Sequence, residues 1–237
     1  MKRFWTFVDI AAGAEGWRVL LDDKPVRLPG GAPLLLSGAA LAEAVAAEWR
    51  AAGGGLGGEM SYADLPLTRL AGTAQERIAP DPEPVALELA RYAESDLLCY
   101  RTERPEGLAR RQDALWQPWL DWADRRFDAR LRVTTGLMHV AQEPAALARL
   151  AQAVASLDVG ALTALGIIVP GLGSLVLGLA LAQGELDAAT AHEIAAVDEL
   201  YQEEVWGVDD VARIRRTRIR EDLEAAGRFL AVTRPPA

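Results

Sequence analysis

The sequence predicts an α+β fold: a small strand-rich N-terminal domain with one helix over residues 1–77, followed by a larger all-helical domain over residues 78–237. Three observations predict it. Near the start, aromatic and β-branched residues recur between Gly and Asp punctuation, the pattern of short strands. From Leu65 onward apolar positions return at helical spacing. Between these regions, I-A-P-D-P-E-P at 78–84 interrupts any regular element and reads as a hinge.

Taken in order, F-W-T-F-V-D-I and G-W-R-V-L-L-D read as two strands, and K-P-V-R-L-P as a short third strand or arm. Ser37 then suits the N-cap of an amphipathic helix whose apolar positions Leu41, Val45 and Trp49 step by four. The glycine-rich stretch at 53–58 is a connection. Beyond Leu65, E-L-A-R-Y-A-E-S-D-L-L-C-Y and the run from Pro105 to Trp116 read as helices. Gln117-Pro118 is expected to open another, with proline in a first turn where its missing N–H costs nothing. Trp116, Trp119 and Trp122 gather at that junction; aromatic packing in a core is the plain reading, a ligand-stacking box the alternative. Later helices are predicted over 145–157, across the uncharged run 159–184, over 187–206 and from Val208 to about Leu230. The uncharged run is long enough to cross a bilayer, which takes about 20 apolar residues. Pro170, Gly171, Gly173 and Ser174 in its middle predict two short buried helices instead, the second capped by Ser174.

Composition narrows the chemistry. The net charge of −9 repels a nucleic-acid backbone, so no nucleic-acid partner is expected. One cysteine, Cys99, forms no internal disulfide and, in D-L-L-C-Y, reads as a buried structural thiol. With only His139 and His192 besides, no metal site and no cofactor are expected. His139 lies among apolar residues, and His192, beside Glu193 on a helix, reads as a solvated surface histidine. A phosphate-binding P-loop needs a lysine after glycine, and Lys2 and Lys24, the only lysines, do not follow one. The basic run R-I-R-R-T-R-I-R at 213–220 is followed by E-D-L-E, so pairs such as Arg218 with Asp222 and Arg220 with Glu224 are expected to neutralise it. Ile219, Leu223, Ala226 and Leu230 give that helix a buried face.

The segment V-D-E-L-Y-Q-E-E-V-W-G, 197–207, holds four acids and one tryptophan. Asp187 suits the N-cap and Gly207 the C′ position of one helix, in which Ile194, Val197, Tyr201 and Val205 share an inward face. At about 100° per residue Glu199 and Glu203 point away from that face and Asp198 sits at its edge. No two carboxylates flank one reacting atom, as acid–base catalysis requires. The angles leave a wet surface and a binding surface both open.

Several stretches taken together resemble one family, the ATP12 chaperone that assembles the F1 part of ATP synthase. They are R-F-W near the start, L-D-D-K-P-V-R with L-A-E-A-V-A-A-E-W, L-P-L-T-R-L-A-G-T-A-Q-E-R at 65–77 and Y-A-E-S-D-L-L-C-Y-R at 92–101. R-Q-D-A-L-W-Q-P at 111–118, L-G-S-L-V-L at 172–177 and D-E-L-Y-Q-E-E-V-W-G complete the series in order. The resemblance implies a two-domain, ATP-independent chaperone, not an enzyme, that binds the free α subunit of F1 and prevents its self-association until β subunits take its place. It implies a functional acid at Asp198 or Glu199, and with them Tyr201, Gln202 and Trp206 are the expected partner-binding residues. Gln117 stands where an aspartate usually precedes the proline, and Leu28 where a threonine is expected. Because the pattern begins at Arg3 with no presequence ahead of it, a bacterial, cytoplasmic setting without stable membrane insertion is expected. The alternative function is a small-molecule-binding protein or enzyme with a pocket between the two domains.

Overall fold

The computed structural model describes residues 1–136 and 138–234, and the fold is α+β. Its contacts divide the chain into two compact units: residues 1–82 with 159–164 and the residues from Arg228 onward, and residues 83–158 with 165–227.

The first unit is built on an antiparallel sheet of β1 (Val8–Gly13), β2 (Gly16–Leu21) and β3 (Lys24–Pro25), in that order. Asp22 and Asp23 form the two-residue turn between β2 and β3, both left-handed at φ 45° and 64°. A tight hairpin needs positive φ at both positions, and aspartate tolerates it because its short side chain bonds locally. The Asp22 carboxylate itself reaches a distant stretch of chain, accepting the amides of Thr6 and Phe7, each at 3.0 Å. Helix α1 (Ala39–Ala51) buries Leu41, Val45 and Trp49 as their spacing predicts, but Gly38, not Ser37, is the N-cap. Fully buried Trp5 donates its indole N–H to the Trp49 carbonyl at 3.2 Å and meets the Trp49 ring edge-on at 5.0 Å. Trp49 in turn donates to Thr68 Oγ1 at 3.1 Å. Glu48 accepts the amides of Leu67 at 2.6 Å and Thr68 at 2.9 Å, which are orphan donors in the first turn of α2 (Pro66–Thr73). Burial pushes the Glu48 carboxyl up, and these bonds pull it back. A wider turn, Ala74–Ile78, extends α2.

In the second unit, α3 (Glu83–Ala90) gives way to short tight turns at Arg91–Ser95 and Leu97–Cys99, so the continuous helix expected through E-L-A-R-Y-A-E-S-D-L-L-C-Y is broken. The break is at Asp96, extended at ψ 133°, whose fully buried carboxylate accepts the amides of Leu98 at 3.1 Å and Val176 at 3.0 Å. One acid thus caps a local turn and, from eighty residues away, the start of α7 (Leu175–Gln183). Strands β4 (Tyr100–Arg101) and β5 (Thr134–Thr135) pair in parallel, an element too short to read from pattern. The sequence reading starts a helix at Pro118, but α4 runs unbroken from Glu106 to Phe127 with that proline inside it. Burial of Trp116, Leu120 and Ala123 along one face holds it together across the lost bond. The uncharged run folds as predicted: α6 (Val159–Leu172) stops at Gly173, left-handed at φ 67°, and Ser174 Oγ caps α7 by accepting the Leu177 amide at 3.1 Å. Among the described residues no helix is long and apolar enough to cross a membrane. The remaining helices are α5 (Pro144–Ala155), α8 (Ala188–Ala195), α9 (Val197–Trp206) and α10 (Asp210–Thr233).

Candidate functional site

The segment 197–207 forms α9, and the single helix predicted over 187–206 is in fact two, broken at Ala196 (φ −86°, ψ 10°). The indole N–H of Trp116 takes the Ile194 carbonyl at 2.9 Å. That carbonyl is the acceptor the residue-198 amide would use in an unbroken helix. The turn that results carries Asp198 against α4, where it accepts from Gln112 Nε2 at 2.7 Å. Gln112, buried, accepts the Thr102 amide through Oε1 at 2.8 Å, so its two ends are fixed by a donor and an acceptor that cannot be exchanged. Asp198 is thereby the terminus of a polar chain joining the residue after β4 to α4 and α9.

Glu203 does not face open water as its angle suggests, whereas Glu199 stays 44% exposed. Both Glu203 oxygens lie 2.7 Å from Arg216 Nη2 on α10, with side-chain exposures of only 17% and 12%. Glu199 approaches Arg215 and Arg216 at 3.7 and 3.6 Å. Of the two pairs expected within α10, Arg220 with Glu224 forms at 3.7 Å, while Arg218 with Asp222 is not an ion pair among the described residues; Arg213 instead pairs with Asp210 at 2.9 Å. Tyr201 is half-buried beneath the Arg111 guanidinium, 5.2 Å from its ring centre, and Arg111 forks onto both oxygens of Glu204 at 2.7 Å. That guanidinium holds the Glu204 carboxyl below the usual range.

Outside this ion-paired core the surface turns apolar. Val205, expected on the inward face, is 55% exposed, and Trp206 is 78% exposed. Gly207, at φ 89°, redirects the chain, and Val208, Val211 and Ile214 follow, all exposed. Gln202 is exposed on the same helix. Sequence reasoning missed Val208, Val211 and Ile214 because they lie among aspartates and arginines; their signal is the repeated β-branched residue directly after an exposed tryptophan.

The other candidate chemistry resolves into structure. His192 is buried, not solvated; burial pushes its pKa down, and Arg216 and Arg220 push it further. Cys99 is fully buried as predicted, its thiol pushed up to about 12 by burial and then by the charge of Asp96. His139 Nδ1 lies 3.0 Å from the Tyr100 hydroxyl. Trp116 is buried in the core, while Trp119 and Trp122 pack edge-on at 6.2 Å, with Phe127 next in line. Among the described residues no three His, Cys, Asp or Glu side chains are placed to hold a metal ion.

Comparison with known proteins agrees with this architecture. The family described as ATP12 chaperone protein matches residues 2–124. The crystal structure of Atp12 from Paracoccus denitrificans superposes with a TM-score of 0.92 at 42% identity, covering 98% of each chain. An aspartate-to-lysine mutant of the same protein gives the same values. A structure from Agrobacterium tumefaciens superposes with a TM-score of 0.90 at 38% identity, covering 98% of this chain and 86% of that one. Matched in sequence over its first half and in structure over nearly its whole length, the chain belongs to the ATP12 chaperone family.

Proposed function

We propose that this chaperone of ATP synthase assembly binds the free α subunit of F1 and keeps it from self-association until β subunits take its place. The observation that carries the reading is the run of large apolar side chains from Val205 to Ile214, exposed by 47–78%. Such a patch leaves apolar surface in water unless a partner covers it. Trp206 is its natural anchor, since large aromatics dominate interface energetics. Gln202, Glu199 and Glu204 form a polar rim, which favours correct register over raw affinity. Tyr201 stiffens that rim by holding Arg111 in place. Asp198 supports the surface by tying α9 to Gln112, and the partner meets the residues it positions. No ATP is consumed in this scheme; release comes from competition by β for the same surface of α. The chain works in the cytoplasm, where free α is made.

The reading is tested by mixing the chain with isolated α subunit and following complex formation and α aggregation by size-exclusion chromatography with light scattering. The expected result is a defined complex that suppresses aggregation and dissociates when β is added. Trp206→Ser is expected to weaken the complex by about 2 kcal/mol or more without changing chaperone stability. Aggregation of α that proceeds unchanged beside folded chaperone rejects the proposal.

A further inference from the structure

Within the first unit, a cleft of about 360 Å³ separates the arm Val26–Pro29 from α2 and the wide turn after it. Its floor is apolar: Val26, Leu28 and Trp49 are all buried. Gly72 keeps that floor closed, because a Cβ at this position would stand 2.8 Å from the Leu28 side chain. The rim is basic. Arg27, Arg69 and Arg77 line the cleft with a single carboxylate, Glu76, which is already engaged by the Gly30 amide at 3.2 Å. Arg27 donates to the Gly31 carbonyl, whereas the Arg69 and Arg77 side chains have neither an ion pair nor a hydrogen bond among the described residues. In a chain of net charge −9, in which Arg213, Arg215, Arg216 and Arg220 of α10 are paired with acids, three guanidinium groups around an apolar trough are a local reversal of sign.

We propose that this cleft docks an extended segment of a client protein in which carboxylate and apolar side chains alternate. Alternation is what an extended chain offers to a surface, since successive side chains point to opposite faces. A segment laid along the cleft sets its apolar side chains on Leu28 and Trp49 and its carboxylates against Arg69 and Arg77, where forked guanidinium–carboxylate bonds fix its position. From Arg69 to Arg77 the helical rise is about 12 Å, the span of roughly four extended residues. That the occupant is a protein rests on membership of a chaperone family, and not on which F1 subunit is the client or on the surface around Trp206.

The test uses the full chain and a short fluorescein-labelled peptide of alternating aspartate and leucine, read by fluorescence anisotropy, with a lysine–leucine peptide as control. Saturable binding in the range of about 10–100 μM, weakening with added salt, is expected for the acidic peptide only. Arg69→Glu and Arg77→Glu, both at exposed positions, are each expected to weaken it at least about tenfold. Thr73→Trp fills the cleft without changing its charge and is expected to abolish binding. Circular dichroism establishes that each variant remains folded. Trp206→Ser, which lies outside the cleft, is expected to bind the peptide as the parent chain does, so loss of α-subunit binding and loss of peptide binding are read separately. The proposal is overturned by no binding up to about 1 mM, by equal binding to the three cleft variants, by loss in Trp206→Ser, or by displacement of the peptide with octanoate at equal concentration.

Discussion

Asp96 ties stability to pH although it is fully buried from water. Burial pushes its carboxyl up to about 6, with the Val176 amide, the Ser174 hydroxyl and the Leu98 amide pulling in the opposite direction. In the unfolded chain an aspartate titrates near 3.9. The native state therefore holds this proton more tightly than the unfolded state, and the stability it contributes is full below about pH 4 and lost as pH rises through about 6. Asp96→Asn removes the titration while keeping the shape. Urea melts of the two proteins across this window are expected to show the parent losing ground to the variant by about 3 kcal/mol as pH rises; a constant difference rejects the assignment. Gln112 poses a similar question without a charge. Its replacement by leucine orphans both the Thr102 amide and Asp198, and an expected loss of about 2–3 kcal/mol in the same melts measures the cost of leaving them unpaired.

Among the helices, local chemistry decides some boundaries and distant donors decide others. The stop at Gly173 and the cap at Ser174 are legible in the sequence because the glycine, the serine and the amide it caps lie within five residues. Ser174→Ala removes this cap and the hydroxyl that bonds buried Asp96, and is expected to cost about 2–3 kcal/mol in thermal melts. The α8–α9 break is not legible, since its cause is an indole donor on α4, 78 residues away in sequence. For the same reason Glu203 reads as wet: the angular rule sees one helix, and Arg216 belongs to another. Pro118 misleads in the other direction, because helix propensity argues for a boundary and the buried face of α4 overrides it. Pro118→Ala restores a backbone donor at an exposed position and is expected to raise stability by about 1–2 kcal/mol. The acids and Trp206 of the candidate site could be read from their segment, whereas its apolar extension could not, because Val208, Val211 and Ile214 lie among aspartates and arginines.

At the scale of the whole chain, the α+β class follows directly from the contrast between the punctuated N-terminal third and the helices after it. What no local pattern contains is that the first unit is discontinuous, drawing on 159–164 and on the residues from Arg228 onward. Leu162, Phe229 and Leu230, all buried, belong to segments of that unit far from its strands in sequence. A fragment ending at residue 82 is accordingly expected to lack a cooperative urea transition, and to recover one when the two missing segments are supplied in the full chain. The same discontinuity sets an order of events at the ribosome. Translation proceeds at roughly 5–20 residues per second, so the hairpins of β1–β3 emerge on the order of ten seconds before the segment that completes their unit. The part of this chaperone made first is the part finished last, and through that interval it needs sheltering of the kind it gives to others.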